Sequence, residues 1–111
     1  MKVHGNSKKN QEPHHLYEIW DKKEKDVYKY GISDDPIEKD GLSKRVRSQI
    51  SLFNNIVNWA RFIGRIILKN IPGRKKALEL EDEYIEAYLK KHGKTPRGNR
   101  KRRTRSKKES I

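Results

Sequence analysis

Apolar residues concentrate between about residues 15 and 92, and their spacing changes along the chain from a two-residue to a helical period. "LYEIW" (16–20) alternates, which predicts a strand with Tyr17 and Ile19 on one face and Leu16, Glu18 and Trp20 on the other. "VYKYGIS" (27–33) predicts a second strand, with Val27, Lys29 and Gly31 facing one way and Tyr28, Tyr30 and Ile32 the other. The charged "DKKEKD" between them is the turn of a hairpin. After the loop "DDPIEKDG", Leu42, Val46, Ile50 and Phe53 recur at helical spacing in "LSKRVRSQISLF", with Ser43 in the position of an N-cap and "NN" as the stop.

"VNWARFIGRIIL" is rich in β-branched and aromatic residues and predicts a long third strand with Arg61 and Arg65 on one side. The Pro and Gly of "KNIPGR" mark a turn, and a second helix follows from about Arg74 to Lys91. Its stripe is Ala77, Leu78, Glu81, Tyr84, Ile85, Tyr88 and Leu89, with Gly93 as the C-terminal stop. Strand, strand, helix, strand, helix gives an α+β fold: a small three-stranded antiparallel sheet with flanking helices. Residues 1–13 are polar and close at Pro13, as a leader or a linker; one folded domain is expected over 14–100, and a basic, disordered tail over 101–111.

Charge sharpens this picture. The chain carries 28 Lys and Arg against 15 Asp and Glu, a net +13, and residues 94–111 hold nine basic side chains against one acidic. Such a tail attaches to a polyanion, most simply nucleic acid, because each neutralised phosphate releases counterions. An anionic membrane or an acidic protein satisfies the same arithmetic. There is no cysteine, hence no disulfide and no thiolate zinc site. No stretch approaches the ~20 apolar residues of a membrane span, and the N-terminus lacks the apolar core of a signal peptide.

One carboxylate stands out. Glu81 falls inside the apolar stripe of its helix, where desolvation is costly unless a metal, an arginine or hydrogen bonds compensate it; at the stripe's edge it could equally pair with Arg74 or a strand arginine. Arg45, taken alone, reads as a solvated helix arginine, and the strand tyrosines as packing residues. His14 and His15 are adjacent, so in a strand they point to opposite faces and make poor joint metal ligands. No Ser/His/Asp set, glycine-rich phosphate loop or second inward acid is visible.

Taken together, "LYEI", "YKYGIS", "LSKRVRSQ", "ALELEDEYIEAY" and "PRGN", in this order over about residues 15–100, resemble a GIY-YIG nuclease. The resemblance matches Tyr17 to the family's first tyrosine, with His15 where its glycine usually stands, and Gly31 to the glycine of the second element. Lys29 stands in the second tyrosine's place, with Tyr28 as the alternative. Arg45 matches the arginine, Glu81 the metal-binding glutamate and Asn99 the late asparagine. What this implies is phosphodiester hydrolysis with one Mg²⁺ or Mn²⁺ on Glu81, Arg45 clamping a phosphate oxygen, and Tyr17 and Lys29 bonding the attacking water. Arg61, Arg65, Arg97, Asn99, Arg100, Lys101, Arg102 and Arg103 are the expected nucleic-acid contacts.

The "HLYEIWDKK" entry after a polar leader and the "YKYGIS…KDGLSKR" stretch resemble the nuclease domain at the C-terminus of secreted bacterial polymorphic toxins. That implies DNA (or RNA) as substrate, delivery into a target cell with action in its cytoplasm, an acidic immunity protein as partner and no membrane insertion. A phage or mobile-element nuclease, cytoplasmic in its own host, has similar residues. The rival from another class is a non-catalytic basic nucleic-acid-binding domain with tyrosines as stacking platforms.

Overall fold

A computed structural model describes residues 11–99; residues 1–10, most of the expected leader or linker, and the expected basic tail from Arg100 onward lie outside the described residues. Five elements follow one another: β1 (Pro13–Asp21), β2 (Asp26–Ser33), α1 (Lys44–Val57), β3 (Phe62–Pro72) and α2 (Arg74–His92). The strands form one antiparallel sheet in the order β2-β1-β3, so β1 is central.

The faces of β1 divide the core. Tyr17 and Ile19 pack with Val46, Ile50 and Phe53 of α1 and with Phe62 of β3. Leu16, on the opposite face, packs with Ala77 and Leu80 of α2 and with Ile71 of β3. Tyr30 of β2 joins Ile85 and Tyr88 on the α2 side. The far end of the hairpin is tied to α2 by the Tyr88 hydroxyl, which donates to Asp26 at 2.5 Å. Burial, reinforced by this bond, pushes the Tyr88 phenol up to about 12.

The fold class and element order are those the hydrophobic pattern predicts, with four local differences. First, β1 begins at Pro13 rather than Leu16, because His14 and His15 are buried with partners: the Glu12 carbonyl for one and the Ser43 hydroxyl for the other. Second, the β1–β2 register steps between Ile19, which faces Lys29, and Trp20, which faces Val27. Tyr28 is the extra residue of this bulge, so it leaves the face of Tyr30 and packs with Phe53 and Phe62 under α1, while Val27 goes to the α2 side.

Third, "NN" does not end α1. Ser43 caps its N-terminus, accepting from the Val46 amide, but the helix runs on to Val57 and stops at Asn58, whose φ of 64° lies in the left-handed region. Asn54 is used sideways instead: its amide accepts from the Phe62 N–H at 2.7 Å and donates to the Phe62 carbonyl at 3.2 Å. Fourth, β3 consequently begins at Phe62, and Val57–Arg61 belong to the end of α1 and the connection. The stop of α2 at Gly93 is as expected, the Gly93 N–H bonding the Leu89 carbonyl at 2.7 Å.

A buried carboxylate closes the end of the sheet. Asp21, fully buried, receives Arg61 through two bonds (2.8 and 2.7 Å), Arg97 at 2.6 Å, and the turn amides of Lys23 and Glu24. Arg61 holds this carboxyl well below the usual carboxylate range; burial opposes the shift, and Arg97 and the two amides add to it. On the α1 side, Gly64 lets the helix sit down on β3: an added Cβ would lie 2.6 Å from Ile50 and 2.7 Å from Val46.

Two predictions follow from this packing. Asp21→Ala should lower stability by about 3 kcal/mol in urea unfolding at neutral pH, by stranding two arginines. The folded carboxyl titrates below its unfolded value of 3.8, so the wild type's advantage is present above that value and fades as pH falls toward the folded one. Gly64→Ala should cost about 1–3 kcal/mol by forcing α1 away from the sheet, read by the same measurement.

Candidate active site

Tyr17 sits in the middle of the most enclosed strand, with 1% of its surface exposed. Its ring lies across the backbone of β2 at Gly31, where a Cβ would come within 2.4 Å of both Cζ and the hydroxyl oxygen. Glycine at 31 is therefore a space requirement of Tyr17. Burial pushes the Tyr17 phenol up; the Arg45 guanidinium pulls the other way by its charge and by a hydrogen bond, and the Glu81 carboxylate adds to the rise. A tyrosine of β1, an arginine of α1 and a glutamate of α2 thus share one electrostatic neighbourhood.

The first turn of α1 sets Arg45. Its amide donates to the Asp35 carboxylate at 3.1 Å, two residues beyond the Ser43 cap, and Asp35 is itself turned by its own N–H on the Ser33 hydroxyl at 3.0 Å. One turn further on, Gln49 accepts from Lys29 Nζ at 2.8 Å. Lys29 therefore lies on the α1 side of the sheet with Tyr17, to whose neighbour Ile19 it is paired. The bulge brings Tyr28 to that side as well, but into a different setting. Its ring meets Phe53 edge-on (centroids 5.2 Å apart) and Phe62 at 4.9 Å, and the Arg97 guanidinium lies 5.1 Å over it. Glu81 is half-buried on α2, one turn from buried Ala77 and one from buried Ile85.

The remaining expected contacts separate into distinct environments. Arg61 and Arg97 both converge on Asp21. Arg65, with 72% of its side chain exposed, pairs with Glu18 at 2.8 Å. Asn99 sits against the outer edge of β2, where its side-chain carbonyl accepts from the Tyr30 N–H (3.0 Å) and its amide donates to the Tyr30 carbonyl (2.9 Å). Gly98 extends this cover, its N–H bonding the Tyr28 carbonyl at 2.7 Å. The asparagine thus does for an edge strand what another strand would do. Arg100, Lys101, Arg102 and Arg103 lie outside the described residues.

Sequence reasoning passed over Asp35, Gln49 and the second role of Ser43. Gln49 had a readable signal, being four residues after Arg45 and hence on its face of the helix. Asp35 had none, because its contact is made by a loop whose course depends on the packed helix.

A family model described as URI fold toxin 2 matches residues 7–93, from the leader through α2. No curated protein and no solved structure matches the chain. The match spans every strand and both helices, including Tyr17, Lys29, Arg45 and Glu81. With its sheet, its two helices and this span of agreement, the chain belongs to the URI fold toxin 2 family.

Proposed function

We propose that the domain is a metal-dependent endonuclease of the GIY-YIG type, hydrolysing DNA with little sequence preference as the toxic domain of a larger delivered protein. The observation that supports this reading is the shared electrostatic neighbourhood of Tyr17, Arg45 and Glu81, drawn from three separate elements, with Lys29 on the same side of the sheet as Tyr17.

Each group has a task suited to its chemistry. Arg45 offers a planar fork that grips two phosphate oxygens and offsets the charge developing on phosphorus. Tyr17, its phenol raised by burial, stays neutral at physiological pH and so orients the attacking water as a hydrogen-bond partner rather than as a phenolate. Lys29, steadied by Gln49, adds a second cation near the reacting phosphate. Among the described residues no three His, Cys, Asp or Glu side chains form a metal-binding group. A divalent ion here would take Glu81 as its carboxylate ligand, an oxygen donor that suits Mg²⁺ or Mn²⁺, which keep several waters. Such an ion would supply Lewis acidity at the phosphate.

The net charge of +13 and the basic run from Arg97 through Arg103 support non-specific backbone affinity. The same charge makes an acidic immunity protein the natural partner of a delivered toxin. No helix among the described residues is long and apolar enough to cross a membrane.

Plasmid nicking by the purified domain tests the reading. Cleavage should need Mg²⁺ or Mn²⁺ and stop with EDTA, and Arg45→Ala and Glu81→Ala should each lose about 100-fold or more. A non-catalytic binder would instead hold DNA as well or better once Glu81 is neutralised. Lys29→Ala should lose about 10-fold or more, whereas Tyr28→Phe, which keeps the ring packing, should stay within about 2-fold. Cleavage that survives chelation, or both the Arg45 and Glu81 substitutions, would sink the assignment.

A further inference from the structure

We propose that His15 is a positioning residue of the active site: as a neutral imidazole bonded to Ser43 it pins the first turn of α1 to β1, and so seats Arg45 at the Tyr17 hydroxyl. The functional consequence rests on the nuclease reading; the positioning itself does not.

His15 stands two residues before Tyr17, on the same face of β1, with the two rings tilted at 49° and 6.2 Å apart. It is buried, and its Nε2 lies 3.0 Å from Ser43 Oγ, a contact that joins residues 28 apart in the chain. Ser43 is fully buried too, and it caps α1 by accepting from the Val46 amide. A hydroxyl has one proton to give. In the tautomer we assign, Nδ1–H, that proton goes to the imidazole Nε2 lone pair while Oγ accepts the cap bond from the Val46 amide.

Protonating Nε2 would set two donors against each other in a closed space. Ser43 would have to turn its proton away from the imidazole and accept there instead, reversing a buried bond that orients the cap. Any shift of the Ser43 side chain acts two residues before Arg45, whose own amide donates to the loop carboxylate of Asp35. The new charge would also join the Arg45 guanidinium on one side of Tyr17.

The charged groups around His15 pull in both directions. Burial is the largest influence and lowers its pKa; Asp35 and Asp34 of the loop oppose this, and His14 of β1 reinforces it. Tyr17 is uncharged, and α1 contributes Ser43 as the bonded partner. The neutral form is therefore the working form, and the imidazole titrates below its ordinary 6.5.

Two variants and two readouts test the assignment within a pH range where circular dichroism shows no unfolding. His15→Gln keeps a neutral hydrogen-bonding group for Ser43, whereas His15→Phe keeps a ring and removes the bond. In ¹⁵N-correlated spectra of the wild type, His15 should be the Nδ1–H tautomer at about pH 8, and the Arg45 Nε–H resonance should move with the His15 titration. In plasmid nicking, kcat should fall about 10-fold through that same midpoint, with KM nearly unchanged. His15→Phe should be slower by about 10-fold at pH 8, and His15→Gln should recover most of this and lack the acid step.

An Arg45 resonance indifferent to the His15 titration would overturn the proposal, as would an acid step retained in His15→Gln or a His15→Phe protein with wild-type kcat. Should His15→Phe fail to fold, His15→Gln and the Arg45 resonance decide. If the wild type cleaves nothing, the nuclease reading falls, and the Arg45 resonance alone decides on the positioning.

Discussion

The central strand is enclosed on both edges and both faces, yet it is not an apolar strand. Between Pro13 and Asp21 it carries His14, His15, Tyr17, Glu18 and Asp21, all buried. A buried polar group costs free energy unless it is matched; His14 is matched locally by the Glu12 carbonyl, and each of the others imposes a partner on another part of the chain. His15 takes the cap of α1, Glu18 takes Arg65 of β3, and Asp21 takes Arg61 and Arg97 from either end of the remaining chain. Tyr17 takes Arg45. The polar half of β1 therefore specifies where the helix, the third strand and the C-terminal segment must lie, while the apolar half supplies the burial that holds them there.

This division explains why some of the molecule could be read from its sequence and some could not. The helical stripe through Ala77, Ile85 and Tyr88, the cap at Ser43 and the stop at Gly93 are local matters, decided by spacing and backbone preference within a few residues. The face taken by Tyr28 is not local. It depends on a one-residue step in register against Ile19 and Trp20, and alternation alone assigns it to the wrong side. The end of α1 is likewise not local, since Asn54 looks like a helix breaker until Phe62 arrives, its N–H donating to the Asn54 side chain and its carbonyl accepting from it. Of the candidate site, the elements that carry Tyr17, Lys29, Arg45 and Glu81 were legible; the pairing of Gly31 with Tyr17 was not, since it depends on the register of the hairpin. The bonds from Asp35 to the Arg45 amide, from Gln49 to Lys29 and from Ser43 to His15 were not legible either, because each joins residues ten or more apart in the chain.

The arginines illustrate how charge number misleads without geometry. Arg61 and Arg97 read as equivalent cations in a strongly basic chain, yet both are held on one buried carboxylate, and Arg97 and Arg61 also lie over the rings of Tyr28 and Phe62. Their charge closes the hairpin before it faces any external anion. Arg65, which meets Glu18 with most of its side chain in water, leaves far more of its field directed outward.

The two outer strands of the sheet are treated differently, and the difference governs how copies of the molecule can associate. Residues 98 and 99 occupy the outer backbone of β2 at Tyr28 and Tyr30, while among the described residues β3 forms the opposite border with no strand beyond it. Growth of a continuous intermolecular sheet needs two reactive borders on every subunit, one to receive and one to offer. Among the described residues the molecule has one such border, like a monofunctional monomer in a polymerisation: strand-to-strand contact through β3 joins two copies and leaves, at each outer end of the pair, a β2 already occupied at Tyr28 and Tyr30.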